Sequence, residues 1–180
     1  DGSCWNQVSA DLRERGFHVL APDLPGHGAT PLPPAKVTLK AYVASLLQLL
    51  DTVAGSVVLV GHSMAGIVIS EVAARRPDKV MRLVYLCAYL PRHSDSLFGL
   101  IAQNRSAGEP PCAIEQALQM SADKRSCTIA TADIIPLFCQ LAPADAALQA
   151  QAAFGIQATP PLAAAVDLQG DGFATVPRTY

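Results

Sequence analysis

The feature that most constrains this chain is an apolar run at residues 57–60, followed at once by a cluster of small residues. Residues 61–66 read GHSMAG, and an apolar pattern resumes after them. This arrangement predicts a buried strand, a sharp turn and a helix that begins directly on the turn. Gly61 lets the helix approach the strand, and Ala65 stands where the G-x-S-x-G pattern has its second glycine. We therefore expect Ser63 to occupy a strained turn that lifts its hydroxyl clear of the sheet.

Ser63 is the candidate catalytic nucleophile. A serine hydroxyl reacts weakly at neutral pH and needs a histidine to take its proton and a carboxylate to orient that histidine. The backbone N–H of Met64, the first residue of the predicted helix, would point at a developing oxyanion with help from the helix dipole. The alternative is that the G-x-S-x-small pattern occurs by chance. The predicted strand before the pattern and the predicted helix after it argue against this alternative.

The base for Ser63 is harder to find. When a serine lies on this kind of turn, the acid and then the histidine follow it along the chain, but no histidine follows residue 93. His62 adjoins the serine, and neighbouring side chains on a turn point apart. His93 and Asp95 follow a strand end but reverse the expected order, and the alternative is that both are solvated. The four histidines are His18, His27, His62 and His93.

The other candidate motifs give weaker evidence for a functional site. His27, in the PGHG turn of residues 25–28, could face a pocket mouth, although such a histidine more often bonds local backbone. The two glycines of that turn do not make a phosphate loop, because Pro31 stands where a third glycine belongs and no helix opens on the turn. Cys87, on a predicted strand, is expected to be a small buried hydrophobe. We predict neither a metal site nor a cofactor.

Composition excludes several function classes. The chain has 180 residues, of which 51% are hydrophobic, and this predicts a globular domain with a sizeable core. A net charge of −2 argues against nucleic acid and membrane surfaces as partners. The five cysteines include no C-x-x-C pair, so we expect neither a disulfide framework nor zinc and favour a reducing, cytoplasmic location. The chain begins with Asp1, which leaves open an upstream targeting segment.

Strand and helix patterns alternate along residues 1–90, the signature of an α/β domain with a parallel sheet. Thr38 can cap a helix that Gly55 closes, and Pro77 ends the helix that follows Ser63. The predicted helices are 5–15, 38–55 and 64–76, and the predicted strands are 17–21, 56–60 and 83–86.

The character of the sequence changes after Pro91. Residues 91–172 are rich in Ala, Gln and Pro and carry short helical patterns at 114–120, 134–141 and 145–154, which predicts an inserted helical lid. Residues 173–180 return to strand-like composition and stop in what reads as the middle of a strand. We therefore expect a partial core at 1–90, a lid at 91–172 and a returning core strand at 173–180.

Four stretches resemble the α/β-hydrolase superfamily, and within it the branch of plant methyl esterases, the salicylate-binding esterase, hydroxynitrile lyases and their bacterial relatives. They are residues 1–5 (DGSCW), 21–28 (APDLPGHG), 58–66 (VLVGHSMAG) and 173–180 (FATVPRTY). The resemblance implies an α/β-hydrolase fold, a mostly parallel sheet flanked by helices with an inserted helical lid. It carries over Ser63 as nucleophile and Met64 as oxyanion donor. It also implies that the second oxyanion donor lies before Asp1, and the acid and base beyond Tyr180, so that the chain is truncated at both ends.

Within that branch, lyases commonly place Glu and Cys beside the serine, whereas this chain has His62 and Met64, as the esterases do. Phe98 and Phe138 of the predicted lid, together with Met64, suit a small apolar or aromatic acyl group, although either aromatic ring could equally be lid core. The expected activity is serine-dependent hydrolysis of a small-molecule ester through an acyl-enzyme. The alternatives are a non-catalytic or truncated protein on the same scaffold and a cofactor-free lyase. The oligomeric state is left open.

Overall fold

Two adjacent parallel strands, connected in sequence by a helix, form the main structural feature of the chain. The computed structural model describes residues 1–180. The helices are α1 (Asn6–Glu14), α2 (Leu39–Thr52), α3 (Ala65–Arg75), α4 (Leu97–Ser106), α5 (Ala113–Ala117), α6 (Thr131–Phe138), α7 (Ala144–Ala153), α8 (Pro160–Ala163) and α9 (Gly172–Thr175). The strands are β1 (Val57–His62), β2 (Val80–Leu86), β3 (Gln119–Met120), β4 (Ser126–Thr128), β5 (Gln157–Ala158) and β6 (Arg178–Thr179).

The central sheet has the order β1-β2-β6, and both of its strand pairs are parallel. Leu59 pairs with Leu83 and Gly61 with Tyr85, while Thr179 pairs with Val84. The α3 helix connects β1 to β2, as parallel strands require a crossover. The prediction of an α/β chain with a parallel sheet is confirmed. The final residues contain β6, whereas the predicted domain bounds stay a prediction.

The two helices with the clearest sequence signals lie where they were expected. The Thr38 side chain accepts a hydrogen bond from the Ala41 N–H at 3.1 Å and caps α2. One face of this helix is fully buried, with Tyr42 and Val43 inaccessible to solvent. The α3 helix ends at Arg75, with Arg76 as its C-cap before Pro77, in agreement with the predicted stop at this proline.

The chain forms two compact units, each defined by the contacts among its own residues. The first unit comprises residues 1–37 and 111–159, and the second comprises residues 38–110 and 160–180. The second unit contains the parallel sheet and a core cluster built around α3 and β2: Ile69, Ala73, Val80, Leu83, Tyr85, Ala88 and Val176. The predicted lid at 91–172 stays a prediction, and that range contains α4 to α8. No helix of the structure has the length and apolar character needed to cross a bilayer.

Two predictions about strands are wrong or incomplete, and one sheet was not predicted. Residues 17–21 form no strand, because apolar character alone supplies no ladder of hydrogen bonds; Phe17 is 61% exposed. The run at 57–60 forms β1 but is only half buried, since successive side chains of a strand face opposite ways and both Val58 and Val60 are exposed. The first unit also contains an unpredicted antiparallel sheet of order β3-β4-β5.

Candidate functional site

Ser63 lies between the last residue of β1 and the first turn of α3. Its φ of 54° places it in the left-handed region, which residues other than glycine rarely adopt. The backbone geometry expected of a serine on a strained turn is therefore present at this position, and the side chain is half-buried. The helix that follows has 11 residues, so its N-terminal dipole and unpaired N–H groups lie next to the serine.

Small residues around Ser63 allow the strand and the helix to approach each other. A Cβ atom on Gly61 would lie 2.9 Å from the Ile69 side chain and 3.0 Å from the Ala65 carbonyl oxygen. The Ile69 side chain can move aside, but the Ala65 backbone would have to shift by a few tenths of an ångström to admit any larger residue at this point of β1. Gly66 lies still closer to its neighbour, because a Cβ there would come within 2.1 Å of the Tyr89 carbonyl oxygen.

Met64 precedes α3 with helical dihedrals, φ −53° and ψ −32°. Its carbonyl accepts the Ile67 N–H at 3.1 Å, whereas its own N–H takes part in none of the backbone hydrogen bonds outside the regular elements. A free N–H at a helix N-terminus, one residue after a serine, is the geometry of an oxyanion donor. The assignment of Met64 as that donor stays a prediction.

The histidines nearest to Ser63 in sequence have other environments. His62 ends β1, and desolvation of its imidazole lowers the pKa of that group. His93 accepts the Leu168 N–H on Nδ1 at 3.1 Å, and Asp95 accepts the Arg92 N–H at 2.8 Å. His93 therefore bonds backbone that lies 75 residues farther along the chain, and its Nδ1 lies 3.9 Å from Asp167 Oδ1, whereas Asp95 bonds the nearby Arg92 backbone.

His27 lies in a loop of the first unit that Asp23 organises. The Asp23 carboxylate accepts the Ala29 N–H at 2.8 Å and the Gly2 N–H at 2.7 Å. These two bonds, the one from Ala29 first, hold the pKa of Asp23 below its ordinary value. Desolvation lowers the pKa of the half-buried His27 imidazole. The sequence pattern indicated the turn but not its organising carboxylate.

The two aromatic residues predicted as substrate contacts belong to different units. Phe98 lies half-buried on α4 of the second unit. Phe138, on α6 of the first unit, is 37% exposed and packs against Phe154 with ring centroids 5.0 Å apart. Their role as substrate contacts, like that of Met64, stays a prediction.

Sequence reasoning missed the contribution of residues 86–89, where β2 ends. The expectation that Cys87 is a buried strand residue is wrong: β2 stops at Leu86, and Cys87 is exposed with a φ of 43°. This left-handed step takes the side chain out of the alternating pattern of the strand. The Ser63 N–H donates to the Leu86 carbonyl at 3.4 Å, and the Tyr89 N–H donates to the Ser63 carbonyl at 3.1 Å.

A second missed feature is Glu71, a buried acid on α3. Its side chain is 3% exposed and pairs with Arg75 at 2.6 Å, while its other oxygen accepts the Asp167 N–H at 3.3 Å. These residues border a cavity of about 320 Å³ in the second unit, at the end of α3 away from Ser63. An apolar periodicity gives no signal for an acid buried within it.

Comparison with known proteins gives a consistent family assignment. The family model described as "Alpha/beta hydrolase family" matches residues 1–180. Among curated proteins, the carbendazim-hydrolyzing esterase of Nocardioides sp. is 39% identical over 102 residues, which are 56% of this chain and 42% of that protein. The pyrethroid hydrolase of Sphingobium wenxiniae is 39% identical over 92 residues, 49% of this chain and 32% of that protein. Plant methylesterases are also among the relatives.

Solved structures agree on the fold. A histidine-to-alanine variant of polyneuridine aldehyde esterase superimposes with a TM-score of 0.82 at 19% identity, covering 98% of this chain and 73% of that one. At this identity the match is evidence for the fold alone. The chain spans less than half the length of the curated relatives described above.

Proposed function

The chain belongs to the α/β-hydrolase family, and from that premise we propose that it is a serine esterase acting on small carboxylic esters. In the proposed reaction, Ser63 Oγ attacks the ester carbonyl carbon, and a general base takes the hydroxyl proton. The carbonyl oxygen becomes an oxyanion that accepts a hydrogen bond from the Met64 N–H. The C–O bond to the alcohol then breaks as the protonated base returns its proton to the departing oxygen. Water, activated by the same base, hydrolyses the acyl-enzyme to release the acid and free Ser63.

The observation that carries this proposal is the left-handed backbone of Ser63 between β1 and α3. A non-glycine residue in this conformation costs energy and persists where surrounding structure imposes it, which often happens at functional sites. Relatives with esterase or hydrolase names support ester hydrolysis as the reaction class. The half-buried Phe98, which belongs to the same unit as Ser63, favours an apolar or aromatic acyl group.

The test compares the full-length protein with its Ser63→Ala variant on p-nitrophenyl esters of increasing acyl length. We expect the variant to lose at least a thousandfold in kcat, because the nucleophile acts as a unit with its base. A fluorophosphonate probe followed by peptide mass mapping should place the label on Ser63. Ser106→Ala, a change at an exposed serine near the end of α4, is the matched control and should leave both readouts unchanged.

Two outcomes would contradict the proposal. Equal hydrolysis by the wild-type protein and Ser63→Ala would remove the serine from the mechanism and favour a non-catalytic member of the family. Cleavage of a cyanohydrin without hydrolysis of any ester would instead favour a lyase that uses the same serine as a base.

A further inference from the structure

The backbone of Ser63 is held on both sides by the segment that follows β2. The Ser63 N–H donates to the Leu86 carbonyl at 3.4 Å, and the Ser63 carbonyl accepts the Tyr89 N–H at 3.1 Å. The same carbonyl also accepts the Gly66 N–H at 3.1 Å. Both polar groups of the Ser63 backbone are therefore occupied, and residues 86–89, which we term the supporting turn, provide a partner for each.

The helix after Ser63 lies directly on the supporting turn. A Cβ on Gly66 would lie 2.1 Å from the Tyr89 carbonyl oxygen and 3.0 Å from the Tyr89 backbone nitrogen. The first turn of α3 is thus in van der Waals contact with the Tyr89 peptide group. Any shift of Tyr89 must move either the Gly66 contact or the hydrogen bond to Ser63.

The supporting turn has its own left-handed residue. Cys87, with φ 43°, lies between Leu86, which accepts from Ser63, and Tyr89, which donates to it. The Cys87 side chain is exposed, so packing of the thiol does not fix this conformation, whereas the following Ala88 is buried at 4% exposure. The bend at Cys87 turns the chain so that the Leu86 carbonyl and the Tyr89 N–H both reach Ser63.

We infer that Cys87 is a positioning residue for Ser63: its left-handed backbone sets the Leu86 carbonyl and the Tyr89 N–H so that they hold the serine in its own left-handed conformation. The functional half of this inference rests on the proposed role of Ser63 as nucleophile. Cys87 acts through its backbone and takes no part in the chemistry.

The test substitutes Cys87 with residues of graded tolerance for positive φ. Glycine adopts this region freely, alanine resembles cysteine, and β-branched valine resists it strongly. In the full-length protein, we expect Cys87→Val to lower kcat for p-nitrophenyl ester hydrolysis at least tenfold, with KM within twofold of wild type. Cys87→Gly and Cys87→Ala should keep kcat within twofold. Because the site is exposed, none of these changes opens a cavity.

Amide hydrogen exchange provides a readout independent of activity. We expect the Ser63 and Tyr89 amides to exchange at least tenfold faster in Cys87→Val, while amides in the middle of β1 keep their protection. If the valine variant does not fold, the comparison of Cys87→Gly with Cys87→Ala takes its place, with slower exchange at Ser63 expected in the glycine variant.

The outcomes separate this inference from the proposed function. If the wild-type protein and Ser63→Ala hydrolyse esters equally, the proposed function fails, and exchange at Ser63 and Tyr89 alone decides the positioning role. If wild type is active and Cys87→Val melts at a lower temperature but retains full kcat, the turn is merely structural and the inference is overturned. Loss of activity in Cys87→Ala equal to that in Cys87→Val would overturn it as well, since it would implicate the thiol. The inference would also be overturned if the Ser63 and Tyr89 amides exchanged in Cys87→Val as they do in wild type. If the valine variant does not fold, equal exchange at Ser63 in Cys87→Gly and Cys87→Ala would overturn it.

Discussion

The Tyr85 hydroxyl oxygen lies 2.7 Å from Ser70 Oγ, and Ser70 in turn donates to the Gly66 carbonyl at 2.7 Å. This buried chain of hydrogen bonds connects β2 to α3 within one turn of Ser63. Tyr85 also pairs with Gly61 in the sheet. Tyr85 therefore contacts both elements that flank the serine. Its backbone pairs with β1, and its hydroxyl bonds to Ser70 on α3.

We expect Tyr85→Phe to lower the free energy of unfolding by about 1 kcal/mol, the usual net contribution of a buried hydrogen bond. Ser70 keeps its acceptor at Gly66, so no donor is left unpaired. Urea denaturation measures the loss. Tyr180→Phe is the control, because the Tyr180 ring stacks on Tyr85 but is 79% exposed, and it should leave stability unchanged.

The same tyrosine predicts an alkaline effect. Burial raises the pKa of Tyr85 above its ordinary value, despite the opposing hydrogen bond to Ser70. The unfolded chain therefore ionises this group first, and its contribution to stability is lost as the pH rises above about 10. We expect wild-type stability to fall more steeply than that of Tyr85→Phe as the pH rises above about 10. Parallel slopes would contradict the assigned environment.

Gly66→Ala should destabilise the protein more than any other glycine-to-alanine change in α3 or its flanks. The new methyl group meets a backbone carbonyl, that of Tyr89, which cannot rotate aside. Forced backbone shifts of this kind cost about 1–3 kcal/mol, and here they also displace Ser63. Thermal unfolding of the variant is compared with that of Gly155→Ala, where nothing lies within 4 Å and no change is expected.

Asp23→Asn should weaken the loop of the first unit and flatten its pH dependence. An amide replaces one of the two acceptor oxygens with a donor, which leaves the Gly2 or Ala29 N–H without a partner at a cost of about 1–3 kcal/mol. Because the folded pKa of Asp23 is lowered, its contribution is present above the ordinary carboxyl pKa and is lost as pH falls through the folded value.

The measurement for Asp23 is unfolding free energy against pH from about 7 to 3. Wild type should lose stability toward acid more steeply than Asp23→Asn. Asp11→Asn, at an exposed carboxylate on α1, is the matched control and should follow the wild-type curve. An Asp23→Asn variant with wild-type stability at pH 7 would show that the two hydrogen bonds contribute nothing.

Glu71→Ala should cost about 1–3 kcal/mol, because it leaves the Asp167 N–H unpaired and removes the ion pair with Arg75. Arg75 is 42% exposed on its side chain, so solvent compensates part of that loss. Glu71→Gln keeps an acceptor for Asp167 and should lose less than half as much. Chemical denaturation of the two variants distinguishes this order from a nonspecific effect of changing a core position.

Local signals predicted the elements nearest to Ser63. The Thr38 cap, the helical periodicity of α2 and the proline after α3 each act within a few residues, so the sequence contains the whole of the physical cause. The glycine at position 61 likewise indicated a close approach of helix and strand. These parts of the fold and of the site are therefore predictable from the sequence.

The remainder depends on partners that are distant in sequence. A strand at 17–21 was expected from apolar character, but a strand exists only where a neighbour supplies hydrogen bonds. The short strands β3 to β5 contain polar residues without alternation, so no pattern marks them. The supporting turn contacts Ser63 through backbone atoms, and backbone contacts leave little trace in side-chain identity.

Both compact units are discontinuous in sequence, and this has a consequence for synthesis on the ribosome. Residues 1–37 pack with residues 111–159, which emerge only after most of the second unit. At about 5–20 residues per second, the first segment waits roughly 6–24 seconds for its partner. During that interval the apolar side chains that the finished fold buries, such as Val37 at 1% exposure, have no completed unit to join. Nascent chains of this protein should therefore depend on chaperone protection more than chains of equal length whose units are contiguous.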